Sequence, residues 1–127
     1  MTQHLPRTAT VNVLVTRTVE IPEPDWCIGH RGDHAEFKPD VTHSGPETSA
    51  TFETATRTFT YLHAWITQAP YGEIRPEPEP LLAVEIDGDT ISMDPDTVRA
   101  FTATTRARLD ALDALADEVE RLRGEGR

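Results

Sequence analysis

Leu81-Leu82-Ala83-Val84-Glu85-Ile86-Asp87-Gly88-Asp89-Thr90-Ile91-Ser92-Met93-Asp94-Pro95 is the stretch that decides the fold of this 127-residue chain. An apolar, β-prone run at 81–86 leads into Asp87-Gly88-Asp89, and apolar alternation resumes at 90–93. Two short β-prone runs around Asp-Gly predict a hairpin, because that dipeptide tolerates the positive φ angles of a tight turn. Asp94 then offers an N-cap, Pro95 suits the first helical position, and Asp96 complements the helix dipole. Val98, Phe101, Leu109, Leu112, Leu115, Ala116, Val119 and Leu122 follow three-and-four spacing up to Gly124, which predicts a helix over 95–123. Such a helix, at 1.5 Å per residue, is about 43 Å long and exceeds the width of a compact domain of this size.

Working upstream, Val11, Val13 and Val15 alternate with Thr10, Asn12 and Leu14, so a first strand is expected within 8–19, ended by Ile21-Pro22-Glu23-Pro24. The stretches 51–58 and 59–67 are rich in Thr and aromatic residues and predict one or two further strands, with a helical alternative at 61–68. Pro70-Tyr71-Gly72 turns the chain, and residues 73–80, with Pro76, Pro78 and Pro80 separated by Glu, read as an extended spacer. Residues 25–48 carry Gly29, Gly32, Pro39, Gly45 and Pro46 without periodicity and read as one long loop. A loop of that length in a compact domain implies that something organises it. The expected fold class is therefore α+β: a small antiparallel sheet of three to five strands, one long C-terminal helix and a long loop at about 25–48, within a single domain spanning 1–127 whose residues 1–7 are disordered.

Composition removes several functions. A net charge of −10 opposes the phosphate backbone that supplies most nucleic-acid affinity, so neither nucleic acid nor an anionic membrane surface is an expected partner. No apolar run approaches the roughly 20 residues that span a bilayer. Residues 1–6 lack a charged segment followed by an apolar one, so export is not expected and the cytoplasm is. The single cysteine, Cys27, precludes an intramolecular disulfide and agrees with a reducing compartment. Arginine outnumbers lysine eleven to one, a bias of GC-rich genomes. The hydrophobic fraction of 37% predicts a modest core, for which a metal is a useful staple.

Cys27-Ile28-Gly29-His30 sets a thiol and an imidazole at C-x2-H spacing, which lets one tight turn present both to a tetrahedral ion, and His34 and His43 follow. Cys27, His30, His34 and His43 are the candidate metal ligands and zinc the candidate ion. Asp25, Asp33 and Asp40 are placed to orient the histidines. Without a metal, Trp26 and Cys27 would plug the edge of the core and the histidines would lie solvated. Cys27 with a histidine lacks the surroundings of an activated nucleophile, and the glycines lack the strand-loop-helix setting of a phosphate loop. No catalytic residue is assigned.

The overhanging helix has two readings: it lies across the sheet with a frayed end, or Leu112, Leu115, Val119 and Leu122 pack on another chain, a protein partner or a homodimer. Its acidic residues, from Asp110 to Glu120, are interrupted by Arg106, Arg108 and Arg123 and read as a solvated face before they read as a DNA mimic.

Pro24-Asp25-Trp26-Cys27, Gly29-His30, His43-Ser44-Gly45, Pro70-Tyr71-Gly72, the run at 84–86 and Met93-Asp94-Pro95 together resemble the actinobacterial and phage family called domain of unknown function 6907, over about residues 20–120. The resemblance implies an origin in actinobacteria or their phages and plasmids, and no reaction. Members often carry a further cysteine just before that proline. Glu23 stands there in this chain, which breaks a two-cysteine metal site unless Glu23 itself supplies an oxygen ligand. The resulting expectation is a non-enzymatic accessory or protein-interaction domain stapled by zinc or by packing, with a zinc-dependent enzyme using the same loop and an acidic phage-type inhibitor as alternatives.

Overall fold

A computed structural model describes residues 6–30 and 36–126. It is an α+β fold: an open, wholly antiparallel five-stranded sheet followed by one long helix. The strands are β1 (His43–Ser44), β2 (Thr48–Glu53), β3 (Thr58–Ala69), β4 (Glu77–Ile86) and β5 (Asp89–Met93); α1 is Pro95–Glu125. The sheet runs β1-β3-β4-β5, and β2 also pairs with β3.

The predicted hairpin is β4–β5, closing at the Ile86↔Asp89 pair. Asp87 and Gly88 both take positive φ, +50° and +84°, the combination whose twist matches that of the flanking strands. The pairs Leu82↔Met93 and Val84↔Ile91 put the apolar parity of both strands on one face. The core is small, as the composition implies: Val41, Ala83, Val84 and Met93 are its buried hydrophobic residues.

β2 and β3 form a second hairpin through the turn 54–57, where Thr54 Oγ1 accepts from the Arg57 amide at 3.1 Å and its amide donates to the Arg57 carbonyl at 2.9 Å. Within it, Thr48 to Ala50 opposes Ala64 to Tyr61, so β3 carries an extra residue. Leu62, at φ +53°, sits within that bulge.

Two expectations are corrected, and the loop expected at about 25–48 is refined. Residues 8–19 form no strand: the chain is irregular there, and Val11, Val13 and Val15 are exposed by 74–84%. Alternation fits a side chain pattern to a sheet, but a strand exists only where a second strand takes up its amides and carbonyls, and none does so here. The spacer expected at 73–80 is partly strand, since β4 starts at Glu77. Its prolines are tolerated because β5 reaches only as far as Leu82, and because four steps of β4, Leu81 to Glu77, oppose two of β3, Thr67 to Ala69. That irregularity takes Pro78 and Pro80 out of the ladder, where a missing N–H costs nothing. Gln68 Nε2 donates to the Pro78 carbonyl at 2.6 Å and holds the stretch in place. The loop at 25–48 is interrupted by a short 3₁₀ turn, Lys38–Asp40, and by β1, and its end lies within β2. The disorder expected at 1–7 falls mostly outside the described residues.

Helix α1 begins where expected: Asp94 accepts from the Thr97 amide at 2.7 Å. Beyond that cap it departs from the reading that laid it across the sheet. Val98, Phe101, Thr102 and Thr105 are half-buried near β4 and β5; every residue after Thr105 is exposed, and α1 contains no buried residue. Among the described residues no helix is long and apolar enough to cross a membrane.

Candidate metal centre

Pro24-Asp25-Trp26-Cys27 makes a tight turn in which the Cys27 amide donates to the Pro24 carbonyl at 3.0 Å. Next, the Ile28 amide donates to the Ser44 carbonyl at 2.9 Å, fastening the turn to β1. Gly29 follows at φ +93°, a conformation that suits glycine, and it redirects the chain so that His30 folds back over Cys27. On the opposite side His43 pairs with Gln68 of β3, and the Gly45 amide donates to the Ile66 carbonyl at 2.8 Å. The two walls pack closely at Gly45, where a Cβ would stand in ordinary van der Waals contact, 3.5 Å from the Trp26 carbonyl oxygen and 3.5 Å from the Ile66 Cβ.

These constraints bring four donor side chains together. Glu23, Cys27, His30 and His43 each offer one ligand atom, and all four atoms lie within 4.8 Å of one another. His30 Nε2 is the hub, 3.2 Å from Glu23 Oε1, 3.4 Å from His43 Nδ1 and 3.9 Å from Cys27 Sγ. An ion bound tetrahedrally at 2.0–2.3 Å holds its nitrogen, oxygen and sulfur ligands about 3.3–3.6 Å apart along each edge, so these spacings are compatible with a metal site.

Burial is graded across the cluster. His43 is 2% exposed, its ring edge-on to Trp26 at 6.4 Å between centroids, whereas Cys27 is half-buried and Glu23 and His30 are exposed. His43 is therefore fixed by the sheet, and the other three close over it from the loop. An open pocket of about 280 Å³, lined by Glu23, His43, Gln68, Pro70 and Tyr71 among others, adjoins the cluster on its Glu23–His43 side. The Lys38 ammonium sits 4.6 Å from the centre of the Tyr71 ring, linking the 3₁₀ turn to that pocket wall.

Of the four ligands expected from sequence, Cys27, His30 and His43 converge. His34 and Asp33 lie outside the described residues. Asp25 and Asp40 are not among the clustered groups. Glu23 enters as the fourth donor. Its signal in the sequence was positional, an acidic residue one proline and a turn away from Cys27, where the family resemblance places a thiolate.

No curated protein and no solved structure matches the chain. The family described as Domain of unknown function (DUF6907) matches residues 8–121, nearly the whole length, and the protein belongs to that family.

Proposed function

We propose that this protein is a non-enzymatic accessory or protein-interaction domain whose N-terminal loop is stapled to the sheet by a structural zinc ion held by Glu23, Cys27, His30 and His43. The convergence of those four donor atoms within 4.8 Å carries the reading. One thiolate, two imidazoles and a carboxylate form a donor set that suits zinc over calcium or magnesium, which prefer oxygen alone. Four protein ligands close the coordination shell, the mark of a structural site. The staple also answers why the irregular chain at 22–30 is held against β1. The same reading puts the protein in the cytoplasm of an actinobacterium or its phage, supported by the lone cysteine and the arginine-rich composition.

Native mass spectrometry of the full chain before and after chelation tests this. The expected result is one zinc per chain; less than about a tenth of an equivalent in protein purified without chelator would sink the site. The adjoining pocket favours a second reading, a zinc-dependent enzyme in which Glu23 yields its position to water. Cobalt substitution separates the two. A closed shell leaves the cobalt absorption unchanged on adding azide, whereas an open position shifts it.

A further inference from the structure

Helix α1 exposes a continuous apolar stripe. Leu109, Leu112, Leu115, Val119 and Leu122 are each 46–54% exposed although their spacing is that of a packed helix face. The chain as a whole presents 11527 Å² of accessible surface, against the about 6,700 Å² expected of a compact monomer of its mass. The 20 helical residues beyond Thr105, Arg106 to Glu125, are all exposed and contribute to that excess, as does the irregular chain at 6–20. In proteins most helical stability comes from packing an apolar face, and this face is uncovered within one chain.

We propose that the cover is a second copy of this chain, lying parallel and in register along α1. Leu112, Leu115, Val119 and Leu122 occupy the a and d positions of two successive heptads, which makes the seam self-complementary. The flanking charges choose the orientation. In this register Glu118 is a g position and Arg123 the e position of the next heptad, so in a parallel pair each Glu118 faces Arg123 of the other copy, twice by symmetry. An antiparallel pair with the same core layers would set Glu118 against Ala111 and Arg123 against Ala116, and gain nothing. Within one chain Arg123 has no ion-pair partner among the described residues, while Glu118 is engaged by Arg121. Both carboxyl oxygens of Glu118 accept from Arg121, and each keeps a further lone pair that Arg123 of the other copy can use. The inference is independent of the metal, whose ligands lie at the other end of the sequence.

Sedimentation equilibrium of the full chain, zinc-loaded, tests the proposal. The expected mass is twice 14.1 kDa at high micromolar concentration. Leu115→Asp should yield monomer with an unchanged metal content, since an exposed position loses only the interface. Arg123→Glu should weaken the dimer about three- to tenfold by placing like charges together, and Glu118→Arg with Arg123→Glu should restore it. Three results would overturn the proposal: a monomer at high micromolar concentration, a dimer indifferent to Leu115→Asp, or a dimer lost with Leu115→Asp yet indifferent to the charge reversals. The last would refute the parallel register, and the first would leave the stripe to a different protein.

Discussion

The Glu23–His43 corner and helix α1 are opposites. The corner has almost no regular structure, yet it contains the most deeply buried polar side chain, His43 at 2% exposure, among the described residues. The helix is regular for 31 residues and buries none of them. The contrast separates two things that usually coincide, local hydrogen-bonded order and tertiary burial. Within one chain α1 has its backbone hydrogen bonds and no core beneath it; the corner has a core contact and needs something else to hold its backbone. The two should therefore fail under different perturbations.

If zinc staples the corner as proposed, removing it is the largest expected effect. Structural zinc contributes apparent binding energies of about 10–16 kcal/mol in small metal-folded peptides. Chelation, or His43→Ala, should lower the melting temperature by about 10 °C or more and speed amide exchange at Cys27, Ile28 and Gly45. The far-UV helical signal at low temperature should persist. If chelation removes the helix together with the corner, the two regions form one cooperative unit and the contrast fails.

A paired truncation sharpens the same contrast. Val84, 3% exposed in the middle of β4, should lose about 2 kcal/mol on conversion to Ala, from the deleted methyl groups and the cavity left behind. Leu115→Ala, equally apolar but exposed, should change folding free energy by no more than about 0.5 kcal/mol in dilute protein, where the helix is alone. Urea titrations of both variants at low concentration check the difference, and a large loss at Leu115 would mean that the helix is packed even in the monomer.

What could be read from sequence follows how local its cause is. Hairpin β4–β5 and the start of α1 were legible because a turn dipeptide and a capping aspartate act within four residues of themselves. The strand expected at 8–19 was not, because pairing depends on a distant edge that Val11, Val13 and Val15 cannot announce. Pro78 and Pro80 argued against a strand, and only the β3 irregularity, invisible locally, made room for them. At the corner, Cys27, His30 and His43 were found by ligand chemistry. Glu23 was harder, since one carboxylate among 22 acidic residues is marked only by its place just before Pro24, and it is the turn at Trp26 that brings it to His30.

Smaller effects probe the legible elements. Gly88→Ala meets open space, so its cost is the backbone alone: a side chain at φ +84° should destabilise by about 1 kcal/mol. The loss should show as a lower urea midpoint with an unchanged m-value, because the hairpin register is still set by the strands.

The smallest effect lies at the N-terminus of α1. The Thr97 backbone amide, donating to Asp94, holds that carboxyl below its ordinary value. A depressed acid in the folded state stabilises above its unfolded value, so the cap is intact at neutral pH and is lost as pH falls through the lowered folded value. Bulk helicity is a poor gauge, because Glu118 is held down in the same direction by its hydrogen bond from Arg121 and titrates at the far end of the helix. The local readout is the protection of the Thr97 amide, its exchange relative to the intrinsic rate at each pH, which should fall on acidification in the wild-type chain. Asp94→Asn keeps an oxygen acceptor without a titrating proton and should flatten that dependence, while Asp94→Ala should show low protection at every pH. Protection of Thr97 that still falls with acid in Asp94→Asn would place the titrating group elsewhere, and would mean that the helix start is tied to the sheet more closely than its exposure implies.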